Sequence, residues 1–256
     1  MGETQGQVGT VGRTANIFAI VFALCLGSVP ALGIVPNAQK IAEAVAATNQ
    51  ADRRSVPLLL DVSLEIGDRP PVATGVLATH PTGLARLELR SNSGFVERHL
   101  LQGSDYRASR DGDLLGTPRP FLPPIFFLQT GSGAALQAAL TSFGVPASEV
   151  VLGIADDRDC YVLGGRLPRG PDREERRLPS LWVDMDSYEV VRIDRRDGVR
   201  FRFGPARMFD GIRAPAWIAI EAPDQDPARL EVLRVVPAGA PASAFRSDWL
   251  LSRENP

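Results

Sequence analysis

Apolar and polar residues alternate in one short segment after another, and turn-forming residues separate the segments. In Leu58 to Ile66, the residues Leu60, Val62, Leu64 and Ile66 share one face, while Asp61, Ser63 and Glu65 share the other. A period of two held over that length is a strand with one face buried. Leu84 to Arg90 repeats the pattern with Arg86, Glu88 and Arg90 outward, and Gly198 to Gly204 sets Val199, Phe201 and Phe203 against Arg200 and Arg202. Val72 to Ala78, Phe95 to Leu101, Asp105 to Ser109, Asp159 to Gly164, Ala216 to Glu221 and Arg229 to Val236 read as further strands. Strands at a spacing of roughly 8–12 residues, joined by Gly, Asn and Asp turns, predict an antiparallel meander. About ten such strands cannot stay flat, because twist curls a sheet of that width. The expected fold class is α+β: a strongly curved antiparallel sheet, an incomplete half barrel, covered by a few helices.

The helical signals are few. Pro36 and Asn37 open a segment to Asn49 in which Ile41, Ala44, Val45 and Thr48 form a stripe. Gly131 to Phe143 is a second helix, stopped by Gly144 and Pro146. Ahead of it, Thr117 to Leu128 is apolar and punctuated by proline, so a helical insert over residues 117–144 is expected on one face of the sheet. Gly165 to Arg177 is a polar, charged loop that offers a surface for a partner.

The amino terminus carries information on compartment. Arg13 precedes an apolar run, Ala15 to Gly27, of signal-peptide length and short for a membrane span. Ala31 and Gly33 are small residues at the −3 and −1 positions of a cut before Ile34. The expected organisation is a cleaved secretory signal over 1–33 and one curved-sheet domain over 34–256; an uncleaved amino-terminal anchor is the alternative. Cys25 lies inside the apolar run after Leu24, which argues against lipidation. Cys160 is then the one remaining thiol and reads as a buried small hydrophobe. The 256 residues carry a net charge of −2, which gives nucleic acid no basic footprint. Lys40 is the only lysine, and the arginines are scattered rather than clustered.

Catalytic chemistry finds few residues to work with. The two histidines, His80 and His99, lie on different strands, and His99 reads as a surface or internally bonded side chain. Asp156 to Asp159 lacks the glycine and terminal glutamate of a calcium loop. Gly131 to Gly133 fails the dinucleotide fingerprint, because Leu136 stands where the last glycine belongs, and a helix cap by Ser132 or Thr130 explains it. We expect no metal, no cofactor and no enzyme. Trp182 and Trp217 read as cross-strand core or as the rim of a cavity.

One hairpin, SLWVDMDSYEVVRIDRR (Ser180 to Arg196), carries a resemblance. Leu181 to Asp184, Val190 to Arg192 and the Gly211 to Pro215 approach to the next strand resemble the periplasmic lipoprotein-carrier superfamily, the LolA/LolB-like fold of outer-membrane lipoprotein sorting. The resemblance covers most of Leu58 to Phe245. It implies a curved sheet whose apolar cavity takes acyl chains, with no cofactor. The cavity lining expected on that basis is Leu60, Val62, Leu64, Leu87, Leu89, Trp182, Phe201, Phe203, Ile218 and Ile220, covered by Phe126, Phe127 and Leu128. The partners it implies are an acylated protein or lipid and transient membrane contact, by a monomer. The second reading is a sensor or assembly module that binds an envelope protein. Alternation shows a buried face; whether that face is a cavity or a solid core stays open at this point.

Overall fold

A computed structural model describes residues 1–2, 35–164 and 179–252. The predicted signal peptide, Cys25 and the Gly165 to Arg177 loop lie outside the described residues. The chain divides into Met1–Val35 and Pro36–Pro256, and the fold below is that of the second unit.

Helix α1 (Ala38–Ala51) opens it, capped by the Asn37 side chain on the Lys40 amide. Then come β1 (Leu58–Ile66), β2 (Ala73–His80), β3 (Leu84–Ser91), β4 (Val96–Gln102), β5 (Asp105–Arg110) and the two-residue β6 (Asp113–Leu114). A 3-10 turn (Ile125–Leu128) and α2 (Gly133–Ser142, capped by Ser132) lead to β7 (Val150–Ala155) and β8 (Arg158–Leu163). After these follow β9 (Ser180–Asp184), β10 (Val190–Asp194), β11 (Arg200–Phe203), β12 (Ala206–Phe209), β13 (Ile212–Pro215), β14 (Trp217–Glu221) and β15 (Ala228–Pro237). A short helix, α3 (Asp248–Leu251), follows the last strand.

Thirteen strands form one open sheet in the order β6-β5-β4-β3-β2-β1-β15-β14-β11-β10-β9-β8-β7, and β12 and β13 form a separate hairpin. Every neighbouring pair is antiparallel. The strand count exceeds the expected ten for local reasons. The Asp210–Gly211 pair, with both φ positive, makes the tight turn that the flanking β12 and β13 need. Asp156 and Asp157, also at positive φ, turn β7 into β8. The acidic run considered as a calcium loop is that turn.

The order of the sheet explains where the core lies. One meander runs from β1 out to the β6 edge, and the other returns from the β7 edge to β15, which pairs with β1. The connection from β6 to β7 must therefore cross the sheet from one edge to the other. It does so over the inner face, and it carries Phe121, Leu122 and Ile125 to Leu128 into the same core as α1 and the strands. Asn49, in the last turn of α1, ties this crossing down. Its amide donates to the carbonyls of Phe127 (3.2 Å) and Thr130 (3.1 Å) and to Thr130 Oγ1, while Arg54 Nη2 donates to its Oδ1. The buried stripe of α1 is Ala38, Ile41, Ala42, Val45, Ala46 and Asn49. Ala44 and Thr48, expected in it, sit at its margin, because the crossing segment lies over the side of α1 that carries Asn49.

The outer face is closed in two ways. Over β2 to β5, Phe245 and Leu250 pack on Ala78 and Leu100. Arg86 donates to the Ala244 carbonyl at 2.8 Å and stacks on Trp249, and Ser109 Oγ donates to the Leu250 carbonyl at 2.6 Å. Over β8 to β14, charged side chains form a ladder centred on Asp194.

Candidate functional site

The residues expected to line a cavity fall into three groups. Leu60, Val62, Leu87, Phe201, Phe203, Ile218 and Ile220 face inward and are buried in the same cluster as the crossing segment. Phe126, Phe127 and Leu128 fill that core from the other side; the rings of Phe126 and Phe127 lie 4.6 Å apart, and Phe143 meets both edge-on. Leu64 and Leu89 reach an open cavity. Trp182 does not belong with either group. Leu181 and Val183 point inward, so alternation places Trp182 on the outer face, with Ala155, Cys160 and Val191.

That outer placement explains the Ser180 to Arg196 hairpin. The Trp182 ring covers Gly153, where a Cβ would sit 2.6 Å from the indole. Its Nε1 donates to Ser180 Oγ and to Asp194 Oδ2, both at 3.1 Å, and Arg192 stacks on its face at 4.3 Å. Asp194 also accepts from Arg192 (2.7 and 2.9 Å) and from Arg200 Nε (3.0 Å). Arg200 and Arg202 reach Glu221, and Arg202 continues to Asp156. In the hairpin turn Asp186 and Ser187 are exposed, while Asp184 is buried and accepts from their amides.

The cavity holds about 500 Å³ and opens at the end of the sheet where β1 finishes and β2 begins. Leu64, Val72, Leu89, Phe95, Leu115 and Phe121 give it apolar walls, and Ser91, Glu97, Arg110, Thr117 and Arg119 stand at its polar side. The proline-punctuated segment thus divides in two. Thr117 to Phe121 frames the cavity, and Ile125 to Leu128 fills the core.

A buried polar group supports the cavity wall. His99, fully buried, lies with Nε2 3.0 Å from Glu97 Oε1 and Nδ1 2.7 Å from the Tyr106 hydroxyl. It is an internally bonded histidine rather than a surface one. The Tyr106 hydroxyl donates to the Arg119 carbonyl and so holds the segment that frames the opening. Burial opposes ionisation of Glu97, but the hydrogen bonds and charges of His99 and Arg110 outweigh it and hold the carboxyl below its ordinary range. Burial pushes the Tyr106 hydroxyl and the Cys160 thiol up, so both stay protonated at neutral pH. Arg110 lies 3.0 Å from Glu97 and 4.5 Å over the Phe95 ring. Arg119 lies over Phe121 and has no carboxylate partner among the described residues. Among the described residues no group of three His, Cys, Asp or Glu side chains is placed to hold a metal ion, and no helix is long and apolar enough to cross a membrane.

Several solved structures are similar to this chain. A LolA superfamily protein from Nitrosomonas europaea is 16% identical, with 84% of this chain and 100% of that one covered, at a TM-score of 0.49. A DUF1329 family protein from Desulfovibrio piger is 15% identical over the same shares, at 0.46. A domain described as outer membrane lipoprotein-sorting, from Vibrio parahaemolyticus, is 11% identical over the same shares, at 0.49. No protein-family model and no curated protein matches the chain. The likeness is one between structures at low sequence identity. At these scores it says nothing of ligand or activity, and the reading of the site rests on the cavity's own residues.

Proposed function

We propose that the protein is an envelope binding or carrier protein for a single acyl chain with an anionic head. The open apolar cavity at the β1–β5 end carries this reading. A share of roughly 30 Å³ per heavy atom, as for liquid water, gives it room for on the order of fifteen carbons. Each methylene taken from water contributes roughly 0.8 kcal/mol, so such a chain gains about 12 kcal/mol before the costs of binding. Leu64 and Leu89 would meet the chain, and Arg119, which also lines the cavity, would meet the head. The rest of the buried cluster would supply scaffold. The amino-terminal segment, read as a signal peptide, supports a periplasmic setting.

The test uses a fluorescent fatty acid of about sixteen carbons and two variants at the opening, Leu115→Asp and Arg119→Glu. Both positions are at least partly exposed, so folding tolerates the change. Leu115→Asp is expected to weaken binding more than tenfold with Tm nearly unchanged. Arg119→Glu is expected to weaken the acid about tenfold while leaving the alcohol of equal length unaffected. Failure of the wild-type protein to take up the probe, or uptake insensitive to both variants, overturns the reading.

A further inference from the structure

The two edges of the sheet are treated differently. The β6 edge is two residues long, includes Asp113 and lies beside α3. Short, charged and covered edges are how proteins prevent unwanted strand pairing. Among the described residues the β7 edge has none of these devices. Val150–Ala155 is six residues long, VVLGIA, without charge or proline.

The direction of its free hydrogen-bonding groups follows from two bonds. The Gly164 amide donates to the Glu149 carbonyl, and β7 and β8 pair in continuous register from there. Glu149, Val151, Gly153 and Ala155 therefore turn their backbone toward β8, and Val150, Leu152 and Ile154 turn theirs away from the sheet. The Met185 amide on the Asp159 carbonyl gives β8 the same parity from its other side. Among the described residues nothing pairs with the outward groups of β7. Leu152 and Ile154 are also the exposed apolar side chains of this edge, at 54% and 70%, both on the inner face.

Charge selects the occupant. The strand ends at the Asp156–Asp157 turn, and Asp159 stands opposite Ile154. Asp156 is bonded to Arg202 at 2.9 Å, whereas Asp157 and Asp159 are exposed and have no ion-pair partner among the described residues. A second copy, paired antiparallel about Leu152, would place Glu149 diagonal to the acidic turn of its partner. An extended peptide with a basic residue at that end meets the acids instead.

We propose that β7 is a strand-addition site for an extended peptide of a partner protein, antiparallel to β7. The peptide has apolar residues at alternate positions and Arg or Lys at the amino-terminal end beside Asp157 and Asp159. Backbone bonds to Val150, Leu152 and Ile154 give it affinity, and the inner-face side chains give it selectivity. The site is remote from the cavity opening, and the proposal does not depend on acyl binding.

The test uses the full chain and a fluorophore-tagged peptide, acetyl-Arg-Thr-Val-Thr-Val-Thr-Val-amide, whose register sets the three valines opposite Ile154, Leu152 and Val150. Anisotropy is expected to show saturable binding. Glu in place of the peptide's Arg, N-methylation of its central valine, and the variant Ile154→Lys are each expected to weaken it at least tenfold. Hydrogen exchange at the Leu152 and Ile154 amides is expected to slow at least tenfold on peptide addition. The proposal is overturned by absence of binding, by equal binding of the N-methylated peptide, or by protection that appears elsewhere. It is also overturned if sedimentation shows a dimer in which these two amides are already protected without peptide, since a second copy then fills the edge.

Discussion

Asp194 shows how one carboxylate organises a face of the sheet. Two arginines, an indole and a hydroxyl converge on it, and it is nearly buried. Removing the acceptor leaves Arg192 without its counter-charge and Arg200 with Glu221 alone in a partly dry site, and broken pairs of this kind cost about 3 kcal/mol. Asp194→Ala should lower stability by about that amount in urea unfolding, with acyl binding intact in the folded fraction. Glu97 adds a dependence on pH. Its folded value lies below the ordinary 4.5, so the unfolded chain binds the proton more tightly. The stabilisation is complete above 4.5 and is lost as pH falls through the folded value. Unfolding midpoints measured from pH 7 down to pH 3 should fall less steeply for Glu97→Gln than for wild type. An equal slope would show that other carboxylates carry the acid sensitivity. None of this was legible beforehand, because nothing in the local sequence marks Asp194 or Glu97. What sets them apart is the side chains that neighbouring strands bring to them.

At the scale of elements, the link between α1 and the crossing segment is a testable joint. Asn49→Leu removes the donors that satisfy the Phe127 and Thr130 carbonyls and leaves buried acceptors unpaired. Each such group costs about 1–3 kcal/mol. Thermal unfolding should register a loss of at least 2 kcal/mol, and exchange at the Ile125 to Leu128 amides should accelerate. The strands themselves were legible. Alternation gave β1 its observed bounds and set Leu87 and Leu89 against Arg86, Glu88 and Arg90. β7 was missed because VVLGIA has no polar residues to alternate with, and the β12–β13 hairpin because the Asp-Gly turn signal stood between runs of only four residues. Trp182 was placed on the wrong face although its own strand gives the parity, since Leu181 and Val183 had to be inward.

For the whole molecule, sequence pattern gave the open antiparallel sheet but not what fills it. Phe201 and Phe203 alternate as cavity residues would, and equally as core residues do; alternation does not show where the Pro118 to Leu128 segment crosses. That route is a long-range property, visible only once β6 and β7 are known to be opposite edges. The same route leaves room at one end, where Thr117 to Phe121 arches over Leu64 and Leu89.

β1 and β15 are first and last in the strand sequence and side by side at the centre of the sheet. Each meander can grow on its own as its strands emerge, but the seam between them closes only when the final strand arrives. Contacts so distant in sequence are slow to form. Until β15 is in place the two meanders share no strand pairing, so the centre of the sheet is the last part of it to close.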